Sequence, residues 1–357
     1  MKIKWTIPLL ALLVYVLCVT PMVMFCDEIC QLVLVIIPFV VILTGLIIFN
    51  ELLKHTPWYI TRFWDWQHER YPDQVWQSRH KEREVDIVNL GSSMGQWDFD
   101  YSGFPVKGMN WARQPQSLQN DLRLLQTFRW IIKKGGKVLI TIVPFLGLFV
   151  PPKINGTYIY LNVIDHKYFD RRFYFKARLL QAFPILFGIT TIRIVLSWML
   201  HGMKSPMLGK EDHRFTDECN PMTPEELECD ALKWVNCWKK EFTITDLGNE
   251  ITEENIQNRI IQANTMRELV DYCQEHNFKP IYVIPPVTKY LKKYFVQKFR
   301  RLYIYEFLDM VGRDVKVLDY MDVPEFEDVD LYFNSFFFNK RGRHIFTERV
   351  LRDLGML

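Results

Sequence analysis

The segment Leu90–Gly95 reads Leu-Gly-Ser-Ser-Met-Gly and places two serines directly after an apolar run that begins at Val85. A serine that follows a buried parallel strand is exposed at the carboxyl edge of the sheet, where open α/β folds bind their ligands. Backbone N–H groups in such a turn can stabilise the oxyanion that forms during acyl transfer. Ser93 is therefore a candidate nucleophile, although small residues between a strand and a helix also occur for purely structural reasons.

Three further segments complete the pattern. The segment Gly108–Ala112 follows a short predicted strand and contains Asn110. The segment Pro144–Gly147 follows the clearest predicted strand, and Asn334–Asn339 reads Asn-Ser-Phe-Phe-Phe-Asn just before a terminal helix. Together with the Gly-Ser-Ser turn, these segments resemble the four sequence blocks of the SGNH (GDSL-like) hydrolase superfamily. The resemblance is to its membrane-linked branch, which acts on cell-envelope polysaccharides.

The resemblance implies a role for each residue of the first two blocks. In the family the last residue of Gly-Asp-Ser or Gly-Ser-Ser is the nucleophile, and this position falls on Ser93. Ser92 then stands where the family usually has an aspartate. By the same resemblance, Gly91, Ser92, Asn110 and Ala112 form the oxyanion and substrate pocket. Ala112 stands where the family has glycine, so it keeps a backbone N–H but loses conformational freedom.

The third and last blocks depart from the family pattern. None of the residues 144–147 is the asparagine that the family uses as a donor. The last block of the family has Asp-x-x-His, whereas this chain has Asn334 and Phe337. Phenylalanine can neither accept nor donate a proton, so the usual general base is absent. His344 and His80 are the alternative bases, and both lie outside the normal spacing of the block.

These departures predict a catalytically reduced protein that binds a surface glycan, its lipid-linked precursor or a membrane acyltransferase. The alternative is a serine esterase or O-acyltransferase that acts on a glycan with Ser93 as nucleophile. Asp98 and Asp100, which follow the serine turn, are interpreted as surface loop carboxylates, with polar site residues as the alternative. No cofactor and no metal are expected, and the seven cysteines contain no Cys-x-x-Cys pair.

Beyond residue 85, short β-branched runs alternate with amphipathic helical stretches, which is typical of a parallel sheet covered by helices. This alternation predicts one α/β domain over residues 85–357, with a doubly wound parallel sheet of the SGNH or flavodoxin-like type. The predicted strands cover residues 85–90, 106–109, 137–143, 280–284 and 315–318. The predicted helices cover residues 117–133, 253–276, 293–311 and 340–354.

Residues 151–246 interrupt this alternation and are too long for a simple connection, so they predict an inserted helical segment. Within it, Phe183–Leu200 is apolar but contains Arg193. This stretch fits an interfacial helix or a lid over the site, a buried core helix or a further membrane span. Thr223 and Glu226 have the spacing of a helix capping box.

Two nearly uncharged runs precede the α/β domain, from Trp5 to Phe25 and from Ile29 to Phe49. Each has about 20 residues, the length that a helix needs to cross a bilayer. They predict an N-terminal transmembrane helical hairpin over residues 1–54. Residues 55–84 then form an interfacial linker whose aromatic and basic side chains, Phe63 among them, are typical of a collar at the membrane interface, with ordinary core packing as the alternative. A cleaved signal peptide is the alternative interpretation of the first run.

The membrane lipid bilayer is thus a predicted partner, and the resemblance implies the bacterial cytoplasmic (inner) membrane. Lysines before the first run and after the second favour a cytoplasmic α/β domain by the positive-inside rule, with Asp27 and Glu28 on the other side. The envelope proteins that the chain resembles mostly act outside the membrane. A net charge of +3 and scattered basic residues argue against nucleic acid as a partner.

Overall fold

The computed structural model describes residues 28–63, 84–113, 116–149, 158–200, 222–248 and 251–357. These residues belong to two compact units. Unit 1 contains the described residues up to Phe63 together with residues 158–200, and unit 2 contains the others. The predicted insertion is therefore divided, because residues 158–200 group with the N-terminal segment and residues 222–246 group with the sheet.

Unit 2 is built on a five-stranded sheet in which every pairing is parallel. The strand order is β2-β1-β3-β4-β5, which is the order of flavodoxin-like doubly wound folds. The predicted α/β class with a parallel sheet is thereby confirmed. The strands are β1 (Val85–Leu90), β2 (Gly108–Asn110), β3 (Ile132–Thr141), β4 (Lys279–Ile284) and β5 (Lys316–Asp319).

The helices of the described residues, in chain order and in both units, are of very different lengths. They are α1 (Glu28–Lys54), α2 (Pro57–Phe63), α3 (Ser93–Asp98), α4 (Leu118–Phe128), α5 (Arg171–Ala182), α6 (Thr190–Leu200), α7 (Pro224–Glu241), α8 (Glu253–Glu275), α9 (Lys289–Lys292), α10 (Gln297–Arg300), α11 (Glu306–Val311) and α12 (Lys340–Asp353). Short 3-10 turns connect several of them, and Arg301–Tyr305 is a π-helical turn between α10 and α11.

The sheet is covered on both faces because its central strands are apolar at successive positions. Ile87 and Leu139 belong to one core layer together with Phe346 from α12. Since side chains alternate along a strand, Val88 and Val138 face the other side, where α4 packs against α8. Consecutive buried apolar residues, such as Ile87 and Val88 in β1 and residues 138–140 in β3, are expected in a parallel sheet that has helices on both faces.

Two predicted helices differ from the structure. The helix predicted to run to Lys133 ends at Phe128, because Ile132 already pairs with Val85 as the first residue of β3. The helix predicted over residues 293–311 is broken into α10, the π-helical turn and α11. The capping box of α7 is confirmed: the side chains of Thr223 and Glu226 each accept a hydrogen bond from the backbone N–H of the other residue.

Unit 1 contains the membrane-anchor candidate. Among the described residues, one helix is long and apolar enough to cross a membrane, at Ile36–Lys54 with a mean hydropathy of 2.3. It corresponds by length and composition to the second predicted span. The first predicted span, Trp5–Phe25, and linker residues 64–83 lie outside the described residues. The helical hairpin therefore stays a prediction.

The core of unit 1 is aromatic and joins α2 to residues 158–187. Phe63 is buried and packs against Tyr158 at a ring-centroid distance of 5.1 Å. The guanidinium of Arg62 lies over the rings of Trp58 and Phe187 at 4.9 and 5.2 Å. Phe63, which the sequence assigned to an aromatic collar at the membrane interface, is therefore a core residue of this unit.

Candidate functional site

The Gly-Ser-Ser turn joins β1 to α3 and is packed tightly against the neighbouring strand β3. Gly91 has a φ of 131°, a backbone conformation that glycine adopts without strain. A Cβ atom on Gly91 would lie 3.0 Å from Thr141 Cβ, and one on Gly95 would lie 2.7 Å from Ala112 Cβ. Both glycines are therefore required by the packing of the turn, independently of any chemistry at the serines.

Ser92 and Ser93 follow the carboxyl end of β1, beside β3. In this strand order β2 lies on one side of β1 and strands β3 to β5 lie on the other, so the topological switch point falls between β1 and β3, and ligands of open α/β sheets bind at such a switch point. Both serines are partly exposed, whereas Met94–Asp98 are buried. Within the described ranges no residue forms a hydrogen bond with the Ser93 hydroxyl. Ser93 is accessible, and no activating base contacts it in that part of the chain.

Asn110, a predicted pocket residue, is buried and forms hydrogen bonds with backbone carbonyl groups of α3 and of the residue after it. Its Nδ2 donates to the carbonyl oxygens of Gly95, Gln96 and Phe99 at 3.1, 3.2 and 3.2 Å. Its Oδ1 accepts from Asn89 Nδ2 at 2.9 Å. The Asn110 residue is 2% exposed, so its side chain is committed to internal hydrogen bonds and does not reach a ligand at the surface.

Ala112, the predicted oxyanion donor, is likewise internal. Its backbone N–H donates to Asn110 Oδ1 at 3.0 Å, and the residue is fully buried. The oxyanion roles expected for Asn110 and Ala112 are therefore not supported, because their polar groups face one another. Of the predicted site residues around this turn, Ser92 and Ser93 are the partly exposed ones.

A buried carboxyl group lies beside the turn, and the sequence analysis missed it. Asp121, in the first turn of α4, accepts from the Gly91 backbone N–H at 3.0 Å and from Gln116 Nε2 at 2.5 Å. The Gln116 backbone N–H in turn donates to Ser92 Oγ at 3.4 Å. Burial raises the pKa of Asp121 to about 7, against the lowering effect of both hydrogen bonds. This carboxyl therefore changes protonation near neutral pH.

A signal for this carboxyl was present in the sequence. Asp121 lies three residues after Leu118 and four residues before Leu125, which are buried residues on one face of α4. Residues at these spacings share a helix face, so an aspartate between two core leucines is predicted to be buried. A buried carboxyl near the carboxyl edge of a sheet is a candidate for functional protonation chemistry.

The third block is part of the core. Phe145 follows β3 with a φ of 65°, is fully buried and packs against Phe242 and Tyr303 at ring-centroid distances of 5.0 and 4.7 Å. A Cβ atom on Gly147 would lie 2.6 Å from the ring of Phe307. This segment therefore contributes a buried aromatic side chain to the core, where the family has a polar hydrogen-bond donor.

The last block is also structural in its side-chain contacts. Asn334 Oδ1 accepts from the backbone N–H groups of Phe336 and Phe337 at 2.9 and 2.7 Å, which closes a local turn. Phe337 is 4% exposed, and its ring meets that of Trp234 in α7 at a centroid distance of 5.8 Å. Phe337, the position to which the resemblance assigns the base, thus belongs to an aromatic cluster.

Two further groups named in the sequence analysis have definite positions. Asp98 is fully buried, so its interpretation as a surface carboxylate was wrong. Burial raises the pKa of Asp98 well above its usual range, although the Phe338 backbone N–H and the charge of Arg343 oppose this. His344 is exposed and stacks on Phe104, in the segment that leads into β2, whereas the serine turn follows the opposite end of β1.

No group of three or more His, Cys, Asp or Glu side chains in the described part of the chain is arranged to hold a metal ion. The serine turn is instead hydrogen-bonded by the Asp121 carboxyl and the Gln116 backbone amide. No protein-family model matches the chain, and no curated protein matches its sequence. What the site can do is therefore argued from its own geometry.

Proposed function

We propose that this chain is a membrane-anchored, SGNH-like protein of cell-envelope or surface-polysaccharide biosynthesis in the bacterial cytoplasmic membrane. Its role is to bind a glycan or the lipid-linked precursor of a glycan, with little or no catalysis. The observation that carries this proposal is the environment of Phe337, which is buried among aromatic rings at the position of the missing base. A serine without a base is a weak nucleophile.

The remaining features support binding. Ser92 and Ser93 are partly exposed at the switch point, and hydroxyl groups can hydrogen-bond to a sugar or an acyl carbonyl without any proton transfer. The turn that carries them is rigid, because it is held by Asp121, Gln116 and the packing of Gly91. Rigid polar groups lose little conformational entropy when they bind a ligand.

A membrane acyltransferase is the alternative binding partner. The apolar helix α1 supports a location at the membrane, where both a lipid-linked glycan and a membrane-embedded enzyme would be encountered. Co-purification of the full chain from its own membranes, with the Ser93→Trp variant as the matched control, separates the two partners. Loss of a protein partner in the variant would favour the acyltransferase.

The second candidate function is a serine esterase or O-acyltransferase that uses Ser93. The specific observation in its favour is Asp121, because a buried carboxyl with a pKa of about 7 is suited to proton transfer at neutral pH. Its oxygen atom is engaged by Gly91 and Gln116 rather than by Ser93. Catalysis through Asp121 would therefore require these two hydrogen bonds to rearrange.

Labelling with a fluorophosphonate serine probe distinguishes the two functions. The full chain in detergent micelles is compared with Ser93→Ala, Asp121→Asn and Phe337→His variants. We expect no Ser93-dependent labelling of the natural chain. Labelling that disappears in both Ser93→Ala and Asp121→Asn would establish the enzyme and reject the binding proposal. Labelling gained only in Phe337→His would mean that the scaffold is intact and that only its base was lost.

A further inference from the structure

Unit 1 presents an apolar surface that its own core does not cover. Phe175, Leu179 and Phe183 follow one another at a spacing of four residues and are 62%, 48% and 51% exposed. Residues at this spacing lie on one face of a helix, so Phe175 and Leu179 form a stripe along α5 that Phe183, the residue directly after the helix, extends. Ala177 and Leu180, on the opposite face, are buried in the core of the unit. The exposed stripe is therefore a second apolar face of α5, separate from the face that is buried in the core of unit 1.

A second stripe runs along α6. Ile189, Ile192 and Leu196 are separated by three and four residues and are 57%, 38% and 53% exposed. A polar stripe borders it on the exposed side of the helix and consists of Thr190, Arg193 and Ser197. Adjacent apolar and polar stripes are typical of a helix that lies in the plane of a membrane interface.

The end of α5 and the helix α6 both adjoin the apolar helix α1. Asn50 Nδ2 donates to the carbonyl oxygen of Ala182 at 3.1 Å, and the Ile185 backbone N–H donates to Asn50 Oδ1 at 3.4 Å. α1 also contacts α6. Asn50, Glu51 and Lys54 are the polar residues in the last turns of α1, where a spanning segment leaves the hydrocarbon. The apolar stripe of α5 therefore ends at the level expected for the lipid headgroups.

The charges of these helices fit a lipid surface. Arg171 and Arg172 are exposed at the start of α5, and neither α5 nor α6 contains an aspartate or a glutamate. The Arg171 guanidinium lies 5.8 Å from the ring centre of Phe175, so a cation is placed beside the apolar stripe. Basic residues next to exposed apolar residues bind anionic headgroups while the apolar side chains enter the acyl region.

We propose that the exposed stripes of α5 and α6 are embedded in the lipid–water interface of the bilayer that α1 enters. The ligand of this surface is a phospholipid bilayer with anionic headgroups. Unit 1 is then a platform with three helices in contact with lipid, rather than a single span with a soluble attachment. This inference rests on the membrane-anchor part of the proposed function and does not depend on Ser93.

Photocrosslinking tests the surface in the full chain. The photoreactive residue benzoylphenylalanine is placed one position at a time at Phe175 and Leu196 on the stripes. Ile47 in α1 is the positive control, and Val317, an exposed apolar residue in β5, is the matched negative control. Each protein is reconstituted into vesicles of phosphatidylcholine and phosphatidylglycerol, irradiated and examined by mass spectrometry for lipid adducts.

We expect lipid adducts at Phe175 and Leu196 that exceed those at Val317 several-fold and approach those at Ile47. Adducts at Ile47 alone would overturn the inference and leave the anchor intact. Absence of adducts at Ile47 as well would overturn the membrane anchor itself. Adducts between Phe175 or Leu196 and protein, either a second copy or another chain, would also overturn it, because the surface would then be a protein interface.

Discussion

The Asp121 carboxyl accepts a hydrogen bond from the backbone N–H of Gly91 at 3.0 Å, so a side chain of α4 fixes the first residue of the serine turn. The two residues are separated by 30 positions in sequence. Three groups that sequence alone treats separately, the turn, Gln116 and α4, therefore form one hydrogen-bonded unit. Protonation of Asp121 acts directly on the part of the site that a ligand would contact.

Asp121 makes the stability of the protein depend on pH. The pKa of Asp121 in the folded chain, about 7, lies above its ordinary value, so the protonated folded state is favoured. This contribution is fully present below about pH 4 and is lost as the pH rises through 7, a change on the order of 4 kcal/mol. We expect the free energy of unfolding of the Asp121→Asn variant, relative to that of the natural chain, to be higher at pH 8 than at pH 5.

The measurement is chemical unfolding of both proteins in detergent between pH 5 and pH 8. Asp98, whose pKa is also raised, leaves a residual pH dependence in the variant. A difference between the two proteins that is the same at every pH would show that Asp121 does not titrate in this range.

Asn110 is expected to be a stability residue. Its replacement by alanine removes a single amide group that donates to the carbonyl oxygens of Gly95, Gln96 and Phe99, and these oxygens keep fewer partners in a buried site. A buried polar group that loses its partner costs about 1 to 3 kcal/mol, so Asn110→Ala should lower the free energy of unfolding by at least this amount. Asn264→Ala, at an exposed residue of α8, is the matched control and should have an effect below about 0.5 kcal/mol.

Gly95 is expected to tolerate no side chain. Gly95→Ala places a methyl group 2.7 Å from Ala112 Cβ and 3.0 Å from the carbonyl oxygen of Leu90. Overpacking of this kind costs about 1 to 3 kcal/mol. At Gly135 a Cβ atom would meet nothing within 4 Å, and only the φ of 77° opposes it. Thermal unfolding should therefore show a larger loss for Gly95→Ala than for Gly135→Ala; equal losses would contradict the packing of the turn against Ala112.

Phe337 is expected to stabilise the fold, because its ring is buried against Trp234. Truncation of a buried phenylalanine costs about 3 to 5 kcal/mol, so Phe337→Ala should lower the midpoint of denaturant unfolding strongly. Val317→Ala, at an exposed position, is the control and should have little effect. A Phe337→Ala variant as stable as the natural chain would place this ring outside the aromatic cluster with Trp234.

The fold was largely predictable because periodicity is a local property. The five strands were predicted to within a few residues at most ends, and the capping box of α7 was read from Thr223 and Glu226 alone. The largest error on a strand was the start of β3, at Ile132 rather than Lys137. The start of β3 is set by the pairing of Ile132 with Val85 in the neighbouring strand. Local sequence patterns do not indicate which residues of two strands pair.

The site was less predictable, because it depends on which polar groups meet in space. Motif spacing indicated Asn110 and Ala112 as ligand-facing residues, yet these two satisfy each other inside the protein. Motif spacing gave no role to Asp121, which contacts Gly91 only through the packing of α4 beside β1. The grouping of residues 158–200 with the N-terminal segment was also not predicted, since it depends on contacts over more than a hundred residues.

The hydrogen bond between Asn50 and Ala182 has a consequence for synthesis of the chain. Its partners are 132 residues apart, and β1, β2 and β3 are encoded between them. Contacts of such separation form late, because the intervening loop must first be closed. During translation α1 therefore leaves the ribosome long before α5 exists, and unit 1 is completed only after the first three strands of the sheet have been synthesised.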